Sequence, residues 1–161
     1  MSAGGLTLRR MVAADLEAVL TMEQDSYPRP WTQGSFDFEL NDNPAALLWA
    51  AEAEGGQIAG YCVAWRLQDE LHIANFTVAP ARRRQGVGRR LLAHALAEAA
   101  GLGLHSAFLE VRSGNLAAQS MYQQFGFRQV GLRPRFYSNG EDAVLMELAQ
   151  LPQSAQADQP T

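Results

Sequence analysis

The residues with the clearest chemical potential are Arg82-Arg83-Arg84-Gln85-Gly86-Val87-Gly88. They follow the strand-like run Asn75-Phe76-Thr77-Val78-Ala79-Pro80 and open the most amphipathic stretch of the chain. A glycine-rich turn between a strand and a helix builds an anion site. The N–H groups of the helix N-terminus point outward, and glycine lets a phosphate approach the backbone. A dinucleotide fold uses such a turn as Gly-x-Gly-x-x-Gly, but here Leu91 stands at the third glycine position and no βαβ unit with an acidic ribose ligand follows. The arginine run can grip a nucleic acid; beside Gly86-x-Gly88, neutralising cofactor phosphates is the better use. A second group is Glu110, Asn115 and Tyr122, within Leu109-Glu110-Val111-Arg112-Ser113-Gly114-Asn115 and Ser120-Met121-Tyr122-Gln123-Gln124-Phe125-Gly126-Phe127. Taken singly, a glutamate ending a strand is usually a solvated edge residue. A tyrosine on an amphipathic helix is usually core with its hydroxyl at the surface, and Asn115 fits a helix N-cap.

The elements that must position these residues follow from periodicity and breakers. Leu6–Met11 alternates weakly as a first strand. Ala14–Ser26 has Leu16, Val19, Leu20 and Met22 near helical spacing, with Asp15 placed to suit the helix dipole. Tyr27-Pro28-Arg29-Pro30-Trp31 breaks that helix, Thr32 caps a second one running to about Leu40, and Asn41-Asp42-Asn43-Pro44 makes a turn. Ala45–Ala53 and Ile58–Leu67 flank Glu54-Gly55-Gly56 as a hairpin, and Glu70–Val78 is a further strand. The best helix spans about Gly86–Ala100, with Val87, Leu91, Leu92, Ala95, Leu96 and Ala99 on one face, and Gly101 and Gly103 terminate it. His105–Val111 is a strand, Asn115–Phe125 a helix capped by Gly126, and Phe127–Leu132 and Ala143–Leu148 are the last strands. The expected architecture is α/β or α+β, in a single domain over residues 1–150 with a disordered tail over 151–161 rich in Gln, Ala, Ser and Pro.

The string Arg83-x-x-Gly86-x-Gly88 before a long helix resembles the pyrophosphate loop of the GNAT (GCN5-related) N-acetyltransferases, and the resemblance extends over roughly Leu6–Leu148. Glu110-Val111-Arg112-x-x-Asn115 and Tyr122-x-x-x-Gly126-Phe127 resemble one branch of that superfamily, the bacterial ribosomal-protein alanine N-acetyltransferases of the RimI type. The resemblance implies a central mixed, twisted sheet of about seven strands, splayed at the cofactor site, with helices on both faces. It implies acetyl-coenzyme A as co-substrate. The backbone of Phe76, Thr77 and Val78 would pair with the pantetheine arm, Arg83, Arg84, Gln85, Gly86, Val87, Gly88 and Arg89 would hold the pyrophosphate, and Asn115 would contact the cofactor. Glu110 is then the general base and Tyr122 the general acid. These roles suit the chemistry, because attack on a thioester needs a neutral amine and the departing thiolate needs a proton. No covalent enzyme intermediate is required.

The same resemblance implies transfer of acetyl to a protein N-terminal α-amine, the alanine of small-subunit ribosomal protein eighteen, by direct attack in a ternary complex. A lysine- or small-amine-directed acetyltransferase would share the cofactor half, and a silent acyl-coenzyme A sensor would dispense with Glu110 and Tyr122. Acid–base arithmetic favours the α-amine: with a pKa of ~7.7–8.0 about a third is neutral near pH 7.4, against ~0.1% of a lysine amine. One carboxylate fits that easier task.

Composition prunes the remainder. The chain has 161 residues, 47% hydrophobic and 19% charged, with a net charge of −4, an ordinary globular balance that disfavours general nucleic-acid or anionic-membrane binding. All 13 basic residues are arginine, which excludes a P-loop and lysine-dependent kinase or Schiff-base sites. Cys62 is the sole cysteine, so neither an internal disulfide nor a cysteine-built metal cluster is available, and His72, His94 and His105 show no ligand spacing; no metal is expected. Met1–Leu8 lacks a signal-peptide pattern and no apolar run approaches ~18 residues, which points to the cytoplasm. Arg133-Pro134-Arg135-Phe136-Tyr137 falls between the last two strands, where the family shapes its acceptor wall. Trp31, Glu39 and Tyr137 are candidates for either peptide contact or packing.

Overall fold

The computed structural model describes residues 5–152. The elements in chain order are β1 (Thr7–Arg10), α1 (Leu16–Ser26), α2 (Gln33–Asn41), β2 (Ala46–Glu52), β3 (Ile58–Leu67), β4 (Glu70–Val78), α3 (Val87–Gly101), β5 (Ser106–Arg112), α4 (Leu116–Gln124), β6 (Arg128–Arg133) and β7 (Ala143–Leu148). Short 3₁₀ turns at Ala13–Asp15 and Pro80–Arg82 precede α1 and α3. Seven strands are hydrogen-bonded in the order β1-β2-β3-β4-β5-β7-β6. The sheet is mixed, since β4 and β5 run parallel while β7 is antiparallel to both β5 and β6. The chain divides into two compact units, one running through Trp65 and including Asn75–Ala95, the other made of Arg66–Ala74 and the chain from Leu96 onward.

In the first unit β1, β2 and β3 form an antiparallel meander, with Thr7 opposite Glu52 and Trp49 opposite Cys62. β2 and β3 are buried along most of their length, and Met11, Val19, Met22, Phe36, Tyr61 and Val63 share one core. Thr32 caps α2 as its type predicts, its Oγ1 accepting from the Ser35 N–H at 3.1 Å. Asp15 does more than face a helix dipole. Both of its carboxylate oxygens take the Arg9 guanidinium at 2.8 Å, and it accepts the Val12 N–H at 2.8 Å.

In the second unit the parallel ladder pairs Glu70–Ile73 with Ser106–Leu109 and ends there, one residue short of Glu110. β7 is inserted between β5 and β6, pairing Ala107 with Leu148 and Arg112 with Ala143 on one side and Arg133 with Ala143 on the other. Asn115 caps α4, its Oδ1 accepting from the Ala118 N–H at 3.2 Å. One residue past the expected boundary at 150, Leu151 is only 1% exposed, and its N–H donates to the His105 carbonyl at 2.7 Å. A buried leucine with a satisfied N–H belongs to the folded part. The rest of the expected tail, from 153 on, lies outside the described residues.

Candidate active site

The glycine turn before α3 is built by the first unit. Gly86 has φ +86°, a left-handed conformation that favours glycine, and its carbonyl accepts the Arg90 N–H at 3.1 Å. Gly86 therefore stands at the N-cap, and the N–H groups of Gly86, Val87, Gly88 and Arg89 have no intrahelical acceptor. Arg84 is exposed and also left-handed at φ +64°. The turn is braced from behind: Arg83 Nε donates to the Val78 carbonyl at 3.3 Å, Gln85 Nε2 to the Ala81 carbonyl at 3.2 Å, and Arg82 to Gln57 at 3.0 Å. Val87 is buried, so it offers its backbone rather than its side chain. This is the geometry of an anion cradle at a 15-residue helix.

The strand feeding that turn is anchored by a polar network that the sequence reading did not foresee. Glu23 on α1 is 1% exposed and accepts from Tyr61 OH at 2.5 Å, Trp31 N–H at 2.9 Å and Asn75 Nδ2 at 3.0 Å. Thr77 Oγ1 donates to Asn75 Oδ1 at 2.9 Å and lies 2.8 Å from Tyr27 OH, which also reaches the Phe76 carbonyl at 3.4 Å. The Asn75 and Thr77 side chains are thus buried within this polar network. Burial, and next the Glu23 carboxylate, push the Tyr61 phenol far above its ordinary range, so it stays a donor. Gly60 on β3 completes the packing: a Cβ there would stand 2.9 Å from the Thr77 carbonyl oxygen and 3.4 Å from Val87 Cγ1. Cys62 is fully buried and its thiol is pushed up, which removes it as a nucleophile.

The second unit carries the candidate acid–base groups. Glu110 lies on β5 just past the end of the parallel ladder and is 16% exposed, with Oε1 2.8 Å from His72 Nε2. Glu110 lines a groove of about 270 Å³ with Glu70, Glu147, Arg133, Phe108 and Leu145 among its walls. Tyr122 is 5% exposed on α4, its ring 5.5 Å from that of Phe127. The loop between β6 and β7 is tied to the corner between β5 and α4 by Glu141, which accepts the Gly114 N–H at 2.8 Å and Arg112 at 3.2 Å. Those bonds, the Gly114 N–H foremost, hold the Glu141 carboxyl below its usual range. Arg112 in turn lies 3.9 Å from the Tyr137 ring centroid, so the loop carrying Tyr137 is fastened to the strand carrying Glu110.

Two of the candidate peptide contacts are absorbed by packing. Glu39 is buried and accepts from Trp65 Nε1 at 2.9 Å and Asn43 Nδ2 at 2.8 Å, while Trp31 packs on Phe36 with centroids 5.3 Å apart. Residues that sequence reasoning missed are Glu23, Gly60, His72 as a partner of Glu110, and Glu141. The pairing of His72 with Glu110 depends on the β4–β5 register, which sets His72 opposite Phe108.

The seven strands run in the order β1-β2-β3-β4-β5-β7-β6, with β7 inserted between β5 and β6 and Glu110 beyond the end of the β4–β5 ladder. The acetyltransferase (GNAT) family model matches residues 16–127, and the chain belongs to that family. Within it, the chain is 36% identical over 140 residues, 86% of this chain and 92% of the relative, to a Bacillus subtilis protein named putative [ribosomal protein bS18]-alanine N-acetyltransferase. It is 30% identical to the Escherichia coli [ribosomal protein bS18]-alanine N-acetyltransferase, over 88% of this chain and 96% of that one. The crystal structure of the Escherichia coli ribosomal-protein-S18-alanine N-acetyltransferase superposes with a TM-score of 0.82, covering 91% of this chain and 94% of that chain. Among the described residues no helix is long and apolar enough to cross a membrane.

Proposed function

We propose that this chain is a peptide α-N-acetyltransferase that acetylates the N-terminal alanine of ribosomal protein bS18, in the cytoplasm. The observation that carries the reading is the placement of Glu110. It is a mostly buried carboxylate just beyond the end of the β4–β5 ladder, with one oxygen engaged by His72 and a groove alongside. The names of relatives that align over most of both chains support the choice of acceptor. The net charge of −4 supports a protein acceptor over a nucleic-acid partner.

Acetyl-coenzyme A suits the residues present. The outward N–H groups of Gly86–Arg89 and the exposed Arg84 suit a pyrophosphate, the backbone of Phe76–Val78 suits a pantetheine arm, and Asn115 at the head of α4 suits a further polar contact. When bound it supplies an activated acetyl thioester. Glu110 accepts the proton of the acceptor ammonium, directly or through one water, and Tyr122 donates a proton to the leaving thiolate. The test is thiol release from acetyl-coenzyme A against short peptides that differ only in their first residue. Release with the alanine-first peptide well above the others supports the acceptor assignment, and equal or absent release overturns it.

A further inference from the structure

His72 and Glu110 come from strands whose pairing places them on one face. His72 lies directly opposite Phe108 in the parallel ladder, and Glu110 is two residues further along β5 on the side that Phe108 occupies. The imidazole stacks on the Phe108 ring with centroids 4.2 Å apart and planes 9° from parallel. From that position Nε2 meets Glu110 Oε1 at 2.8 Å, with the two side chains 15% and 16% exposed. A carboxylate oxygen only accepts, so Nε2 carries the proton of this contact.

We propose that His72 is a positioning residue for the reaction, fixing Glu110 so that Oε2, the oxygen it leaves untouched, meets the proton of the acceptor amine. The inference rests on the reading of Glu110 as the base. The physical need is clear. Glutamate has three side-chain torsions; the pairing of β5 with β7 fixes its backbone opposite Leu145, but the β4 side of the ladder stops at Leu109, so no strand pairing fixes the carboxylate itself. Without a tether the carboxylate samples rotamers of which few face the substrate, and a misplacement of about 1 Å can reduce turnover on the order of 10²-fold. Phe108 makes the tether rigid by restricting the imidazole to one plane. The arrangement is that of a carboxylate oriented by a second group, with the roles of the two residue types reversed from the usual histidine oriented by a carboxylate.

The test is a double-mutant cycle on steady-state kinetics with an alanine-first peptide. His72→Phe keeps the stack on Phe108 and removes the donor, His72→Gln keeps a donor that can reach Oε1, and Glu110→Gln removes the base. The expected result is at least a fivefold fall in kcat for His72→Phe with the KM for acetyl-coenzyme A unchanged. His72→Gln should recover more than half of the lost activity, and His72→Phe in the Glu110→Gln background should bring no further loss. A smaller fall in His72→Phe, or losses that multiply in the double variant, overturns the role of His72. Full activity in Glu110→Gln alone overturns the assignment of the base instead, so the two failures are distinguishable. Retention of the thermal transition in His72→Phe separates both from unfolding.

Discussion

Tyr61→Phe removes one oxygen from the centre of the network beneath β4, and its effect can be worked out in advance. Glu23 is 1% exposed and has three donors, Tyr61 OH, the Trp31 N–H and Asn75 Nδ2. The substitution leaves the ring volume nearly unchanged, so no cavity contributes. It deletes a hydrogen bond to a carboxylate in a site that water does not reach, an effect of about 2 kcal/mol within the ~1.5–3 kcal/mol range for bonds to charged groups. For a chain of this size the midpoint of thermal unfolding should fall by about 4–8 °C. The pH dependence carries a sign. The Tyr61 phenol is raised in the folded protein by burial and by Glu23, so its contribution is complete below the unfolded value of ~10 and declines as pH rises beyond that. Urea unfolding of both proteins from pH 6 to 11 should show a constant gap to about pH 9 that narrows above ~10. A gap below about 0.5 kcal/mol at neutral pH, or one that widens in alkali, refutes the description of Glu23 as a carboxylate dependent on Tyr61.

Gly86→Val places a branched side chain at φ +86° in the phosphate turn, and the acetyl-coenzyme A dissociation constant should rise at least tenfold, about 1.4 kcal/mol, in a folded protein, as read by calorimetry. Glu141→Ala unfastens the loop that carries Tyr137, so the KM for the peptide should rise several-fold in initial-rate measurements while the thermal midpoint moves little. Asp15 is held below its ordinary range by Arg9, so its contribution is present above ~3.9 and lost as pH falls through the folded value. The stability gap between wild type and Asp15→Asn, about 1 kcal/mol at pH 7 for a partly exposed pair, should therefore shrink in acid unfolding curves as pH falls below about 4.

Local signals made most elements legible. Pro28 and Pro30 end α1, Gly55-Gly56 turns the β2–β3 hairpin, and Gly86 and Gly103 bracket α3 within a residue or two of the expected bounds. The strand runs expected at Glu70–Val78 and His105–Val111 match β4 and β5, in which Leu71, Ile73 and Leu109 are buried. Non-local information was not legible. Nothing in Ala143–Leu148 says that it inserts between β5 and β6, and nothing in His72 says that a parallel register sets it on Phe108 beside Glu110. Buried charge was the other blind spot. Glu23 looks like a solvent-facing helix residue until Tyr61 and Asn75 arrive from distant strands to satisfy it, and the packing alternative for Glu39 gains its partner only through Trp65 on β3. Gly60 reads as an ordinary small strand residue, and only the approach of the Thr77 carbonyl shows why a side chain does not fit.

The choice of nitrogen tests the central claim most directly. Two peptides should be incubated with the enzyme and acetyl-coenzyme A and fragmented by mass spectrometry, one with a free N-terminal alanine and an internal lysine, the other identical but blocked at its N-terminus. An α-amine-directed enzyme with Glu110 as its base adds a single acetyl group to the alanine nitrogen of the first peptide and leaves the second unmodified. An acetyl group on the lysine of the blocked peptide, at a rate comparable with the first reaction, would contradict the account.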